Sequence, residues 1–238
     1  MSETYQRNSS ANSLNISEQE IVDLVISEVK KTLKLDPLRS EVNNSKYSSI
    51  PLGVSNRHIH LTEPTFKKLF GENTKFEEYR PLYQPGEFAS KHTLMIVGPK
   101  LRSIPNVRIL GPLRKYDQVE VSLTDSIFLG VDAPVANSGD LSNAAPLTLV
   151  GPHGSVFLEK CAIIASRHIH MTNADAKRFG IKDGDYCRVR IGGAKGTIFE
   201  DVFIRTNDNW KLQIHLDTDD ANAANVREEI SVEFIGKM

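Results

Sequence analysis

The chain is poor in the residues that mark several classes of protein. Only two of its 238 residues are cysteine, Cys161 and Cys187, and they form no Cys-x-x-Cys pair. A disulfide framework is therefore not expected. A reducing, cytoplasmic setting is expected instead. No apolar run approaches the roughly 20 residues that cross a bilayer. The polar beginning, MSETYQRNSSANS, has no apolar signal-peptide core, so neither a membrane span nor secretion is expected.

Other absences narrow the function. The formal net charge is only -1, which gives no basis for nucleic-acid binding. The sequence contains neither a Gly-x-Ser-x-Gly nucleophile elbow nor a phosphate-binding P-loop. The stretch DTDDANAANVRE resembles a calcium loop, but Asn222 stands where that loop needs glycine, so a polar loop is expected. Both cysteines lie in strand-like segments and are interpreted as structural.

The first part of the chain predicts an isolated amphipathic helix. Ser17 and Glu20 form a capping box, and apolar residues then recur every three or four positions as far as Leu33. Asp36-Pro37 ends the helix, and a polar linker follows. Either the helix packs back on the body, or it is a docking helix for a groove on a partner.

From residue 50 onward the pattern is typical of a β protein. Short runs rich in β-branched residues alternate with Gly-Pro turns, which favours barrels or sandwiches. Two short helices are predicted, Glu63–Phe70 and Asn173–Phe179. Each follows a copy of one motif, since VSNRHIHLTEPTFKKLFG and IASRHIHMTNADAKRFG match in order. The repeat predicts two similar lobes related by pseudo-symmetry.

The doubled histidines indicate metal ligands. On a strand, residues i and i+2 point to the same face, with Cα atoms about 6.5–7 Å apart. His58 and His60 therefore project together, as do His168 and His170. Neutral imidazole is a common ligand of zinc-like metals, and such a site needs a third group.

Two strand residues are candidates for that third ligand. They are His215 in LQIHLD and Glu120 in QVEVS, where a carboxylate on an apolar strand needs a partner. Arg114 precedes Glu120 across a predicted turn. Its guanidinium could approach the metals and hold phosphate with two hydrogen bonds.

Seven segments carry a resemblance to the phosphate propanoyltransferase family, the phosphotransacylases of bacterial microcompartments. They are GVSNRHIHL, QPGEFAS, VRILGPLRKYDQVEVSLTD, NSGDL, LTLVGPHGSV, ASRHIHM and HLDTDDANAA. The resemblance implies a mainly β fold of two pseudo-symmetric β-barrels capped by short helices. Residues 46–56 and 166–238 would form the first barrel and 57–165 the second, after an N-terminal extension over 1–45.

The same resemblance implies a site between the barrels with two zinc ions. One ion would bind His58, His60 and Glu120, and the other His168, His170 and His215. Arg114 would contact phosphate. Ser138, Arg108 and Asn222 would contact coenzyme A or phosphate.

The resemblance also implies the partners and the reaction. A short acyl-CoA, propanoyl-CoA or acetyl-CoA, would react with phosphate to give acyl phosphate and CoA, without a covalent acyl-enzyme. Residues 17–35 are similar to an encapsulation peptide, which would bind shell or core proteins and place a homo-oligomer in the microcompartment lumen, in a pathway such as propanediol degradation. One alternative is a dinuclear metallohydrolase with the same ligands. Another is a non-enzymatic shell component in which zinc only stabilises the fold.

Overall fold

A computed structural model describes residues 17, 21, 22, 24, 25, 28, 29, 49–227 and 230–238. The chain divides after Ser48 into an N-terminal segment and a body, Ser49–Met238. In the segment, all the described residues from Ile21 to Val29 are helical, and the Ile21 N–H donates to the Ser17 carbonyl over 3.1 Å. Glu20, the predicted capping partner, and nearly all of the linker lie outside the described residues. None of the described helices is long and apolar enough to cross a membrane.

The described part of the body contains fourteen strands and four short helices. In chain order they are β1 (Leu52–Ser55), β2 (His58–His60), α1 (Glu63–Phe70), β3 (Glu78–Pro81), β4 (Phe88–Val97), β5 (Ser103–Gly111), β6 (Gln118–Glu120), α2 (Leu123–Leu129), β7 (Val135–Ala136), β8 (Ala145–Val150), β9 (Ser155–Ala165), β10 (His168–Met171), α3 (Asn173–Phe179), β11 (Tyr186–Ile191), β12 (Thr197–Thr206), β13 (Gln213–Asp217), α4 (Thr218–Ala223) and β14 (Val232–Lys237). The predicted bounds of α1 and α3 are confirmed.

One sheet closes into a six-stranded barrel. Strand β4 pairs with β5, then β2, β6, β9 and β8 follow in turn, and β8 pairs back with β4. The barrel encloses an apolar core that includes Ile59, Phe66 and Leu149. Closure leaves no unpaired edge along this ring, and β3 and β7 add to it outside.

The second sheet has the same plan. Its order is β1-β13-β10-β12-β11-β14, and its ends meet where the Ile50 N–H donates to the Val232 carbonyl over 3.0 Å. Strands β2 and β10 play equivalent roles. Each pairs in parallel on one side, with β5 or β12, and antiparallel on the other, with β6 or β13. The predicted mainly β fold with repeated lobes is thus confirmed.

The strand that leads into each Arg-His-Ile-His belongs to the opposite sheet. Strand β1 precedes β2 but pairs with β13, and β9 precedes β10 but pairs with β6. The chain therefore crosses between the sheets at both motifs. The division into 46–56 with 166–238 and 57–165 stays a prediction with which this course is consistent.

Two helices were not predicted, and each begins at a capping side chain. Ser122 and Asp125 form a capping box at α2. The prediction of a polar loop over DTDDANAANVRE is wrong for Thr218–Ala223. There the Asp217 carboxylate accepts the Asp220 N–H over 2.8 Å, which satisfies a backbone donor at the start of α4.

Candidate metal centre and active-site cleft

Strand alternation sets the direction in which the histidines of each motif point. Ile59 and Ile169 are wholly buried, each in the core of its own barrel. Their neighbours on either side must therefore point the other way, towards the space between the barrels. His58 lies opposite Glu120 across the β2–β6 pair, and in the second barrel the matching position pairs His168 with His215.

The first group consists of His58, His60 and Glu120. All three are buried, and their potential ligand atoms lie within 4.8 Å of one another. His58 Nε2 lies 3.4 Å from Glu120 Oε2. His58 Nδ1 lies 2.8 Å from the carbonyl of Asn56, which leaves Nε2 facing the group.

The second group consists of His168, His170 and His215, again within 4.8 Å. Their ring centroids are 4.7–4.8 Å apart, and the rings of His168 and His215 are nearly parallel. His168 Nδ1 lies 2.8 Å from the carbonyl of Ser166, which repeats the contact between His58 and Asn56. Such a contact fixes the ring orientation of a metal-binding histidine.

The ring nitrogens test whether these residues fit a metal ion. Among the described residues, His60 Nδ1, His215 Nε2 and both ring nitrogens of His170 are buried without a hydrogen-bond partner. Buried polar atoms normally have partners, so these need one that the protein itself does not supply. Burial also lowers the pKa of His60 and His215 to about 3 and that of His170 to about 2. The imidazoles are therefore neutral, the form that binds metals, and both groups fit a cation.

Glu120 is held as a carboxylate by its neighbours. Burial alone would raise the pKa of Glu120, but the polar surroundings of the carboxylate, including a hydrogen bond from Ser138, lower it. The Gln118 amide donates to Glu120 Oε1 over 2.7 Å and to Ser138 Oγ over 2.9 Å. Oε2 is left facing His58, so Gln118 sets the direction of the carboxylate.

The arginine of each motif has a structural partner. Arg57 Nε donates to Asp125 over 2.8 Å, and Arg167 Nε donates to Asp220 over 3.0 Å. Both aspartates lie in the first turn of a helix that follows the strand carrying Glu120 or His215. The repeated arginine thus ties the start of each histidine strand to the element that follows the third ligand.

Both groups open into one cleft of about 710 Å³. Its walls carry five arginines and two glutamates, Arg57, Arg80, Arg108, Arg114, Arg205, Glu87 and Glu120. Because the arginines outnumber the glutamates, the cleft is electropositive in a protein of net charge -1. Such a cleft attracts anions.

The predicted contact residues fall in different places. Arg108, Arg114 and Ser138 line the cleft. Arg114 Nη2 pairs with Glu87 Oε1 over 2.7 Å, and Arg108 Nη1 donates to the backbone carbonyls of Ser90 and Lys91. Asn222 is exposed on α4 and is not one of the cleft-lining residues, so its contact stays a prediction.

Three residues at the site were not predicted: Arg205 and Trp210, which line the cleft, and Gln118, which is buried behind Glu120. Trp210 stacks on His170 with centroids 4.2 Å apart, and the Arg205 guanidinium lies 5.2 Å from the centroid of the Trp210 ring. Gln118 could have been found, because QVEVSLTD and QIHLDTDD place glutamine two residues before Glu120 and before His215. Arg205 and Trp210 leave no such signal.

Comparison with known proteins gives one consistent family. The family model described as phosphate propanoyltransferase matches residues 51–227. A phosphate propanoyltransferase of Lachnoclostridium phytofermentans is 45% identical over 81% of this chain and 90% of its own length. The phosphate propanoyltransferase of Thermotoga maritima is 45% identical over 86% of this chain and 93% of its own length. The phosphate propanoyltransferase of Levilactobacillus brevis is 51% identical over 74% of this chain and 84% of its own length. The chain belongs to the phosphate propanoyltransferase family.

Proposed function

We propose that the protein transfers an acyl group between coenzyme A and inorganic phosphate. Propanoyl-CoA or acetyl-CoA plus phosphate gives acyl phosphate plus CoA. The observation that carries this proposal is the pair of histidine groups facing one electropositive cleft. Both substrates are anionic, and the named activity of the relatives agrees with the proposal.

Two zinc ions are the proposed cofactors, one in each histidine group. Neutral imidazoles and one carboxylate are ligands that zinc accepts. When bound, zinc supplies Lewis acidity towards a carbonyl oxygen and affinity for a thiolate sulfur. Gln118 directs Glu120 towards that site, and the Asn56 and Ser166 carbonyls direct His58 and His168.

Arg114 is the proposed phosphate-binding residue of the first group. Its Nη2 is paired with Glu87, but its Nε is buried and has no acceptor among the described residues. A phosphate oxygen would supply that acceptor through a charge-assisted bond. Contacts from Ser138, Arg108 and Asn222 to coenzyme A or phosphate complete the proposed binding site.

The acyl group passes directly to phosphate in this proposal. A phosphate oxygen attacks the thioester carbon, a C–O bond forms, the C–S bond breaks, and CoA leaves as the thiolate. Phosphate is already an anion at neutral pH, so a side-chain nucleophile is not needed. Both cysteines are buried in the barrels, and burial raises the pKa of each thiol to about 12, so neither is a thiolate.

The proposed setting is the lumen of a bacterial microcompartment. The helix within residues 17–35 would bind shell or core proteins, and the body would act as a homo-oligomer. The support is the amphipathic pattern of the helix and the linker sequence that follows it. All six candidate metal ligands lie in the body, beyond that linker.

The test measures CoA release from propanoyl-CoA and acetyl-CoA with and without phosphate, alongside metal content and acyl phosphate. Release that requires phosphate and yields stoichiometric acyl phosphate supports the proposal. Release that proceeds without phosphate and yields free acid indicates a dinuclear metallohydrolase. Bound metal with no release under either condition indicates a structural metal. The two acyl chains differ by one methylene, so a preference of about 1–3 kcal/mol is the most that a pocket can provide.

A further inference from the structure

Arg205 lines the cleft, but the proposed function assigns no role to it. It lies on β12 in register with His170 of the neighbouring parallel strand β10. Paired residues on adjacent strands point to the same face, so the guanidinium projects into the cleft beside the second histidine group. It is half-buried and lines the same cleft as all three of these histidines.

The arginines of the cleft differ in what they contact. Arg57 and Arg114 each pair with a carboxylate, and Arg108 donates to two backbone carbonyls. Arg80 is exposed at the rim. For Arg205, residues 49–227 and 230–238 supply neither an ion pair nor a hydrogen-bond acceptor, and its described contact is the face of Trp210. A half-buried guanidinium with five donors and no acceptor is ready for an anionic ligand.

Trp210 holds the arginine in place. Its ring contacts both side chains, stacked on His170 at 4.2 Å and facing the Arg205 guanidinium at 5.2 Å. Stacking on an aromatic face leaves the edge of a guanidinium free to donate hydrogen bonds. The stack therefore orients the Arg205 donors next to the second group without using them.

The pseudo-symmetry shows that this arginine is not part of the shared framework. In the first barrel β5 takes the place of β12, and the residue two positions after the register partner of His58 is Leu110. Arg114 reaches the first group from the loop after β5, whereas Arg205 reaches the second group from within β12. Arg114 and Arg205 thus approach their groups from different elements. None of the three residues of the second group is a carboxylate, and Arg205 makes no ion pair with a described carboxylate.

We propose that Arg205 binds phosphoryl oxygens of a substrate beside His168, His170 and His215. The phosphoryl group belongs either to free inorganic phosphate or to coenzyme A. The inference rests on the proposed function for its substrates, while the binding site itself rests on the geometry of Arg205 and Trp210. Arg205 is an anion-binding residue in this proposal, with Trp210 as the residue that positions it.

The experiment compares Arg205→Gln with Arg190→Gln, whose arginine is exposed on β11. Metal-loaded full-length proteins are titrated calorimetrically with inorganic phosphate and, separately, with coenzyme A. Metal content and thermal unfolding are recorded for each variant. Because charge-assisted bonds are lost, Arg205→Gln should weaken binding of one titrant about tenfold or more, with metal content unchanged. Arg190→Gln should bind both titrants as the unsubstituted protein does.

The two titrations separate the sources of the phosphoryl group. Weaker binding of phosphate alone assigns Arg205 to the free anion, and weaker binding of coenzyme A alone assigns it to the cofactor. Arg205→Lys keeps the charge but not the planar fork, and an intermediate loss is expected. Unchanged affinity for both titrants overturns the proposal, and so does loss of metal from Arg205→Gln. Absence of phosphate-dependent CoA release from the unsubstituted protein would count against the proposed function, while the titrations would still decide the role of Arg205.

Discussion

Gln118 is the side chain whose removal tests how the first histidine group is organised. It is wholly buried, and its amide makes three hydrogen bonds. It donates to Glu120 Oε1 over 2.7 Å and to Ser138 Oγ over 2.9 Å, and it accepts the Gly139 N–H over 2.8 Å. Gln118→Leu keeps the side-chain size and removes all three bonds, so Glu120 loses the donor that directs it.

The expected cost follows from those contacts. A hydrogen bond to a charged group contributes about 1.5–3 kcal/mol, and each of the two neutral hydrogen bonds, to Ser138 and from the exposed Gly139 N–H, contributes about 0.5–1.5 kcal/mol. Leucine recovers part of this by burying apolar surface. The free energy of unfolding of the metal-free protein should therefore fall by about 2–5 kcal/mol. Metal affinity should fall about 10- to 100-fold, the usual effect of removing a residue that orients a ligand.

Urea unfolding in the presence of a chelator measures the first quantity, and competition with a chromophoric chelator measures the second. Gln213→Leu is the matched control, because Gln213 occupies the equivalent strand position but contacts Gln84 and not a ligand carboxylate. It should reduce stability and leave metal affinity unchanged. If Gln118→Leu lost stability as expected but bound metal as tightly as the unsubstituted protein, the orienting role of Gln118 would be wrong.

Three further outcomes are expected. His168→Ala should lower turnover at least about 100-fold and lower the metal content from two ions per chain to about one, with an unchanged circular dichroism spectrum. His153→Ala, at an exposed histidine, should change neither turnover nor metal content. Deleting residues 1–40 should leave kcat/KM intact and alter only assembly on size exclusion, and an insoluble or inactive truncation would place the helix in the core. Burial raises the pKa of Cys161 and Cys187 to about 12, so maleimide at pH 8 should label neither thiol before urea is added, and labelling of the folded protein would contradict their buried positions.

The histidine pairs were predictable because strand alternation is a local rule. Once His58 and His60 were placed on a strand, their common direction followed from spacing alone, and β2 confirms it. The short helix after each motif was also predictable, because Thr62 and Thr172 each supply an N-cap side chain just before the helix begins. Because the motif occurs twice in matching contexts, each copy supported the prediction made from the other.

Other features depend on contacts that the sequence does not display. Helices α2 and α4 span seven and six residues, and unlike α3, which also has seven, they do not follow a copy of the Arg-His-Ile-His motif. The stack of Arg205, Trp210 and His170 forms only when β12 and β10 lie side by side, so neither residue has a local pattern. The repeated glutamine marks the position of Gln118, but its hydrogen bond to Glu120, two residues along β6, is visible only in the structure.

The two halves share a framework but differ in charge, and that difference gives the cleft a direction. At one strand position the first barrel has Glu120 and the second has His215. A dication in the first group would have one of its charges offset by the carboxylate, and Arg114 beside it is already paired with Glu87. The second group itself supplies only neutral imidazoles, so the Glu120 carboxylate would offset a dication there only from outside the group, and Arg205 adds a positive charge. The second group therefore needs an anion from the substrate more than the first does. Pseudo-symmetric strands thus produce an asymmetric field, which can orient an anionic substrate within the cleft.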